Sequence, residues 1–362
     1  MIKFVEGNSF DKILELPDNS IDCVISSPPY FGLRDYGTTK WKGGNPNCNH
    51  TITHYNDTLK PHVNRPFRGN RDYCLHCDAE RVDEQFGLEN TYQDYIAMTV
   101  KLFETFKPKL KDQATIWWNV GDSYSNHKDC KSTAQTIAKG TKSEMAHVIE
   151  KGKSHKRDTK TLKASGLKDK DLIMIPNRVA IALQEAGWYI RSEIVWHKPN
   201  PMPESVKDRP TSCHEKIWLI TKNKKYYYDN EAIKEPCKTF DTNIRDRDTT
   251  KLNNTPGRTK MSGLKKNNYT MKNKRNVWTI TTKPLRDAHF ATFPLDLIEP
   301  CVLAGCPENG TILDPFGGAG TTGLVAHKHN RNAILIELNP KYIDIAKNRF
   351  KKMFGPLFGS LI

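Results

Sequence analysis

The sequence predicts an α/β protein built on a doubly wound, Rossmann-like sheet. Two stretches predict it. Near the carboxyl end, Thr311-Ile312-Leu313-Asp314-Pro315-Phe316-Gly317-Gly318-Ala319-Gly320-Thr321-Thr322 reads as a strand ending in an acid, a glycine-rich turn and a helix start. Glu337 closes the next strand about 20 residues later, where a nucleotide-binding βαβ unit places a carboxylate that accepts from ribose hydroxyls. At the other end of the chain, an apolar strand over 21–26 runs into Ser27-Pro28-Pro29-Tyr30. Open α/β sheets bind ligands at such carboxyl strand ends.

The elements follow from periodicity and caps. Residues 2–5 read as a strand, 10–16 as a helix and 21–26 as a strand. Thr91 and Asp94 form a capping box before a helix that puts Tyr92, Ile96, Val100, Phe103 and Phe106 on one face. Residues 114–120 read as a buried strand, 175–185 as a helix, and 188–196 and 216–221 as strands. The final half adds helices over 293–303 and 320–327, strands over 311–314 and 333–337, and a helix over 340–353 opened by an Asn339 cap and Pro340.

Three stretches interrupt this pattern. Residues 41–88 lose periodicity and gain Cys, His, Gly and Pro. Residues 125–170 carry 12 Lys or Arg against 5 acids and read as a basic surface loop. Residues 249–286 hold 10 Lys or Arg and no acid, interleaved with Asn, Thr, Tyr269 and Trp278. The expected organisation is therefore 1–40, the Cys/His insertion 41–88, a continuation over 89–235, a basic region over 236–286 and the glycine-loop half over 287–362.

The 362-residue chain has 56 Lys or Arg and 41 Asp or Glu, a formal charge of +15. An excess of this size points to a polyanionic partner. A hydrophobic fraction of 37% argues against wholesale disorder. No run of 18 apolar residues and no basic-then-apolar start occurs, so neither a membrane span nor secretion is expected, and a cytoplasmic location is.

Nine cysteines make an odd, scattered set, which argues against a disulfide framework. Four ligand candidates stand out in the insertion: Cys48-x-His50 and Cys74-x-x-Cys77. A C-x-x-C knuckle offers two thiolates to one metal, and a second Cys/His pair completes the tetrahedron of a structural zinc site. His54, His62 and His76 compete as ligands, and a free-thiol loop is the alternative.

Asp314 to Thr321 taken together with Ser27 to Tyr30 resembles the amino-methyltransferase family of DNA methyltransferases. The glycine loop departs from the dinucleotide and P-loop patterns, and the order, catalytic motif first and cofactor motif last, is similar to the circularly permuted β-class arrangement. His289 to Pro294, Ile336 to Pro340 and 187–200 extend the likeness. Asn8 stands where many members carry Asp, so a contact from that position to the cofactor's adenine is not carried over.

The resemblance implies an S-adenosyl-L-methionine-dependent enzyme that methylates an exocyclic amine of a base in double-stranded DNA, with the target-recognition region over 236–286, between its motifs. Asp314, Phe316, Gly317, Gly318, Gly320, Thr321, Thr322, Glu337, Asn339 and Phe293 would hold the cofactor. Ser27 and the Pro28 carbonyl would accept the amino hydrogens on a turn stiffened by Pro29, and Tyr30 would stack on the flipped base. In the family, Ser at the first motif position is more typical of cytosine N4, and Asp or Asn of adenine N6; cytosine is favoured, with adenine as alternative. Lys265, Lys266, Lys274 and Arg275 are the DNA-binding candidates. A restriction endonuclease partner and a monomeric or homodimeric state fit this reading. Methylation of RNA and a degenerate, zinc-stapled DNA-binding protein remain alternatives. Asp122 is read as a turn or capping residue.

Overall fold

Apolar runs long enough to be buried on both faces become the inner strands of one mixed sheet. The computed structural model describes residues 1–32, 38, 40–50, 74, 76–82, 85–125, 166–237, 270–283 and 292–355. In chain order the first half holds β1 (Ile2–Glu6), α1 (Ser9–Leu14), β2 (Ile21–Ser26), β3 (Lys40–Lys42), β4 (Glu80–Val82), α2 (Tyr92–Phe106), β5 (Leu110–Val120) and α3 (Ile175–Glu185). The second half holds β6 (Tyr189–His197), β7 (His214–Thr221), β8 (Glu235–Pro236), β9 (Met271–Lys272), β10 (Val277–Thr279), α4 (Leu295–Gly305), β11 (Thr311–Asp314), α5 (Thr321–Lys328), β12 (Asn332–Glu337) and α6 (Pro340–Phe354).

The main sheet has eight strands in the order β1-β12-β11-β2-β5-β7-β6-β10. It is parallel from β1 to β5, β7 runs antiparallel to both neighbours, and β10 pairs parallel with β6. This is the doubly wound α/β sheet the sequence predicts. The last two strands of the chain are inserted between its first two, since β12 and β11 sit between β1 and β2.

Both faces are covered. Trp117 and Trp118, adjacent in β5, point to opposite faces as strand alternation requires. Trp118 joins Ile116, Phe103, Phe106 and Leu183 in the core shared with α1, α2 and α3. Trp117 joins Ile25, Leu219, Cys301 and Val302 in the core shared with α4, α5 and α6. Such two-sided burial explains why residues 114–120 are buried without a break.

The helix starts obey their caps. Thr91 and Asp94 close the capping box of α2, and Asn339 accepts from Lys341 N at the start of α6. The buried face of α2 is Tyr92, Tyr95, Thr99, Leu102, Phe103 and Phe106, not the line through Ile96 and Val100. Thr99 can lie in this core because its hydroxyl donates to the Tyr95 carbonyl at 2.8 Å. Within the stretch read as a basic region, Val277–Thr279 is an edge strand of the main sheet, and Trp278 is buried on it. No helix among the described residues is long and apolar enough to cross a membrane.

Candidate active site

Sheet order brings the two sequence motifs together. β2 and β11 are parallel neighbours, with Cys23 beside Ile312 and Val24 beside Leu313, so their carboxyl ends meet. There Ser26 donates to Asp314 Oδ1 at 2.6 Å across 288 residues of sequence. Thr322 donates to Asp314 Oδ2 at 2.6 Å, and the Phe316 amide donates to Oδ1 at 3.0 Å. Asp314 therefore ties the end of β2, the glycine turn and the first turn of α5 to one carboxylate. Charged hydrogen bonds of this kind contribute about 1.5 to 3 kcal/mol each. Burial pushes the Asp314 carboxyl up to about 6, and the three donors only partly offset that.

The glycines of the turn answer to different needs. A Cβ on Gly317 would lie 2.9 Å from Leu335 Cβ, and one on Gly320 2.9 Å from Ala346 Cβ, so both permit β12 and α6 to pack closely. Gly320 also takes a φ of +76° at the start of α5. Gly318 has a φ of +49°, and a Cβ there would meet only the Phe316 carbonyl at 3.8 Å. Its amide donates to Glu337 Oε2 at 2.8 Å, while Glu337 Oε1 accepts from the Asn339 amide at 2.8 Å. Burial raises the Glu337 carboxyl above its ordinary range. Ser9, at the start of α1, donates to the Pro315 carbonyl, and the Gly7 amide donates to the Glu337 carbonyl at 3.0 Å. Asn8 accepts from Phe10 N as the cap of α1. Phe293 packs against the core beside α4 rather than standing free.

The Ser27–Tyr30 turn is held by a separate network. Ser27 Oγ donates to the Tyr30 hydroxyl at 3.2 Å. That hydroxyl lies 2.7 Å from Glu215 Oε2 and 3.1 Å from Asn119 Oδ1, both acceptors. Asn119 Nδ2 in turn donates to the Lys216 carbonyl at 3.1 Å. Lys198 pairs with Glu215 Oε1. Burial, followed by the Glu215 charge, drives the Tyr30 phenol well above its ordinary range. The Tyr30 ring lies against Gly121, where a Cβ would come 2.5 Å from Cε2. The Pro29 carbonyl accepts from the Tyr95 hydroxyl at 3.1 Å.

Ser26, Asn119, Gly121 and Glu215 are the residues that motif reading missed. Asn119 stands near the end of β5 and Glu215 near the start of β7, which antiparallel pairing brings side by side. Asp122 caps as expected, since its Oδ1 accepts from Ile175 N at the start of α3 at 3.1 Å.

Of the DNA-binding candidates, Lys265 and Lys266 lie outside the described residues. Lys274 stands over the Trp278 ring at 5.2 Å, and Arg275 Nε donates to Glu235 Oε1 at 2.6 Å. Both are placed on the short approach to β10. Most of the basic loop 125–170 and residues 284–291 also lie outside the described residues. The four Cys/His candidates converge: one ligand atom from each of Cys48, His50, Cys74 and Cys77 lies within 4.8 Å of the others. His76 is not among them, and His54 and His62 lie outside the described residues.

A family model described as DNA methylase matches residues 21–348. The chain belongs to the N6/N4 DNA methylase family. Members of this family draw their methyl group from S-adenosyl-L-methionine. The methylase is 37% identical to the type II methyltransferase M.Cfr9I of Citrobacter freundii over 96% of its own length and 86% of that protein's. It is also 37% identical to M.SmaI of Serratia marcescens, over 96% and 90% of the two chains. Among solved structures, the cytosine-N4-specific PvuII DNA methyltransferase shares the fold with a TM-score of 0.54 at 17% identity, covering 96% of this chain and 86% of that one. A Thermus thermophilus protein complexed with S-adenosyl-L-methionine has a TM-score of 0.51 at 16% identity, over 97% and 94%.

Proposed function

We propose that this methylase transfers a methyl group to the exocyclic N4 of a cytosine flipped out of double-stranded DNA. Ser27 at the head of Ser-Pro-Pro-Tyr carries the choice of base, through the family's association of Ser at this position with cytosine. The target amine is unreachable inside the stack, so the base must leave it.

The donor supplies an electrophilic methyl on a positively charged sulfur. The chain's residues suit such a group. The glycine turn approaches without side chains, Gly318 leaves open space where a Cβ would stand, and each oxygen of Glu337 keeps a lone pair beyond its backbone bond for a ribose hydroxyl. Asp314 and Thr322 act on the cofactor indirectly, by fixing the shape of that turn. Phe316, Thr321, Asn339 and Phe293 complete the candidate set.

The amine must present its lone pair in line, which the turn does by orientation more than by basicity. The Pro28 carbonyl and Ser27 Oγ accept the two amino hydrogens. Because the Ser27 hydroxyl donates to Tyr30, its lone pairs are the part left for the amine. Tyr30 in turn leans on Glu215, and a chain of this kind polarises each member. The proton released on N-methylation passes to Ser27 Oγ as the Ser27 proton moves to Tyr30 and the Tyr30 proton to Glu215. The Tyr30 ring, backed by Gly121, offers its face to the flipped base.

Lys265, Lys266, Lys274 and Arg275 grip the DNA backbone, with Arg275 exchanging Glu235 for phosphate. A type II restriction endonuclease of the same specificity and a cytoplasmic setting complete the reading. Expression in a methylation-free host followed by modification-sensitive sequencing tests it, since base and context are read together. Modified cytosine in one fixed context is expected; modified adenine alone, or none, contradicts the proposal.

A further inference from the structure

The Cys/His insertion lies outside the residues proposed for methyl transfer, yet its geometry is specific. Cys48 and His50 follow β3, while Cys74 and Cys77 precede β4. Cys48 Sγ and Cys74 Sγ are 3.7 Å apart, and Cys77 Sγ and His50 Nδ1 are 3.3 Å apart. With metal–sulfur bonds of about 2.3 Å and metal–nitrogen bonds of about 2.0 Å, tetrahedral angles place two sulfurs about 3.8 Å apart and sulfur and nitrogen about 3.5 Å apart. The observed separations are close to these tetrahedral edges.

The backbone is shaped to bring the two pairs together. The Asp78 amide donates to the Cys74 carbonyl at 2.9 Å, and the Cys74 amide donates to the Ala79 carbonyl at 2.8 Å, which folds the knuckle into a tight turn. Gly44, with a φ of +73°, lies against it so closely that a Cβ would sit 2.7 Å from Cys77 Sγ and 2.8 Å from the Cys77 carbonyl. The Trp41 ring covers His50 at 4.9 Å between centroids. Among the described residues, the only ladder joining the two halves is the pairing of β3 with β4, three residues on each strand. A two-stranded ribbon of that length is not stable by itself in water.

Beyond β4 the chain reaches both reactive loops. The Gly87 carbonyl accepts from the Gly32 amide at 2.7 Å, just past the catalytic turn. Gly87, at a φ of +95°, lies so near that turn that a Cβ would come 2.9 Å from the Pro29 carbonyl oxygen. Phe86 packs between Tyr95 at 5.1 Å and Phe316 of the glycine turn at 5.2 Å.

We propose that Cys48, His50, Cys74 and Cys77 bind one zinc ion, and that this zinc clip braces the catalytic turn and Phe316 through residues 85–87. Four protein ligands leave no open coordination position, so the ion is structural and activates no water. Removing it frees the ends of a ribbon that cannot hold itself, and the fixed placement of Phe86 and Gly87 is lost with it.

Metal analysis of the full chain purified without chelators tests the site. About one zinc per chain is expected. Cys77→Ser should lose it, His50→Cys should keep it as a four-thiolate site, and Cys213→Ser, outside the cluster, should keep it. Cobalt in place of zinc should give thiolate-to-cobalt charge-transfer absorption. Hydrogen exchange on zinc-loaded and chelator-stripped wild-type protein tests the brace without depending on whether a variant folds. Exchange at Gly32 and over residues 85–95 should accelerate about tenfold or more, with β12 unchanged. A zinc content near zero overturns the site. Zinc that can be removed without changing exchange in those segments overturns the brace.

Discussion

The Tyr30 hydroxyl lies 2.7 Å from Glu215 Oε2, so a residue of the Ser-Pro-Pro-Tyr turn is held by an acid from the antiparallel strand β7. Ser27 feeds the same hydroxyl from the other side. If these groups act as one relay, Glu215→Gln should lower the single-turnover methylation rate about 10- to 100-fold while leaving cofactor affinity unchanged. Tyr30→Phe should do the same, and the double variant should be no slower than either single one. Rapid-quench methylation with calorimetry of cofactor binding checks this. A wild-type rate for Glu215→Gln, or losses that multiply in the double variant, would contradict the relay.

Asp314 makes a pH prediction. Burial raises its carboxyl from 3.8 to about 6, so between those values the folded protein holds a proton that the unfolded chain has released. Stability attributable to this group is then full below about pH 4 and falls as pH rises through about 6, by roughly 3 kcal/mol at most. Urea denaturation of wild type and Asp314→Asn across pH 4 to 7 should show wild type losing ground to the variant as pH rises. The opposite slope would mean that the three donors outweigh burial.

The glycine turn separates structural from ligand-facing positions. Gly320→Ala combines a positive φ with a 2.9 Å approach to Ala346 Cβ, and should cost about 1 to 3 kcal/mol of stability. Gly318→Ala shares the positive-φ strain but meets no close neighbour, so it should cost about 1 to 2 kcal/mol and less than Gly320→Ala, its main effect falling on cofactor affinity. Thermal unfolding and calorimetry, run on both variants, distinguish the two losses. Equal stability losses would contradict this division.

Charge predicts salt dependence. Neutralising Lys265, Lys266, Lys274 and Arg275 together should weaken DNA binding and flatten its dependence on salt, by about 0.9 in log–log slope for each phosphate no longer neutralised. Cofactor affinity should stay constant. Fluorescence anisotropy over a salt series measures the slope, and an unchanged slope would remove these residues from the interface. Arg275 already pairs with Glu235, so its single neutralisation should have less effect than that of Lys274.

Contiguous motifs were legible in the sequence, and contacts assembled across strands were not. Ser27 to Tyr30 and Asp314 to Thr322 each sit on one turn, where residue type and spacing report the backbone they need. Ser26 looked like the last residue of a buried strand. Only the parallel pairing of β2 and β11 shows that it anchors Asp314. Asn119 and Glu215 belong to strands whose antiparallel pairing no local pattern announces. On α2 the apolar residues allow two neighbouring faces, and the buried one contains Thr99 because that hydroxyl satisfies itself within the helix. The short strand β10 was hidden in a charged stretch, since an edge strand of three residues needs only one buried side chain, Trp278.

The most direct test of the proposed chemistry is nucleoside mass spectrometry of duplex DNA incubated with the purified methylase and S-adenosyl-L-methionine. N4-methylcytosine is expected, at a rate sharply reduced by Ser27→Ala. Formation of 6-methyladenine alone, or an undiminished rate with Ser27→Ala, would contradict it.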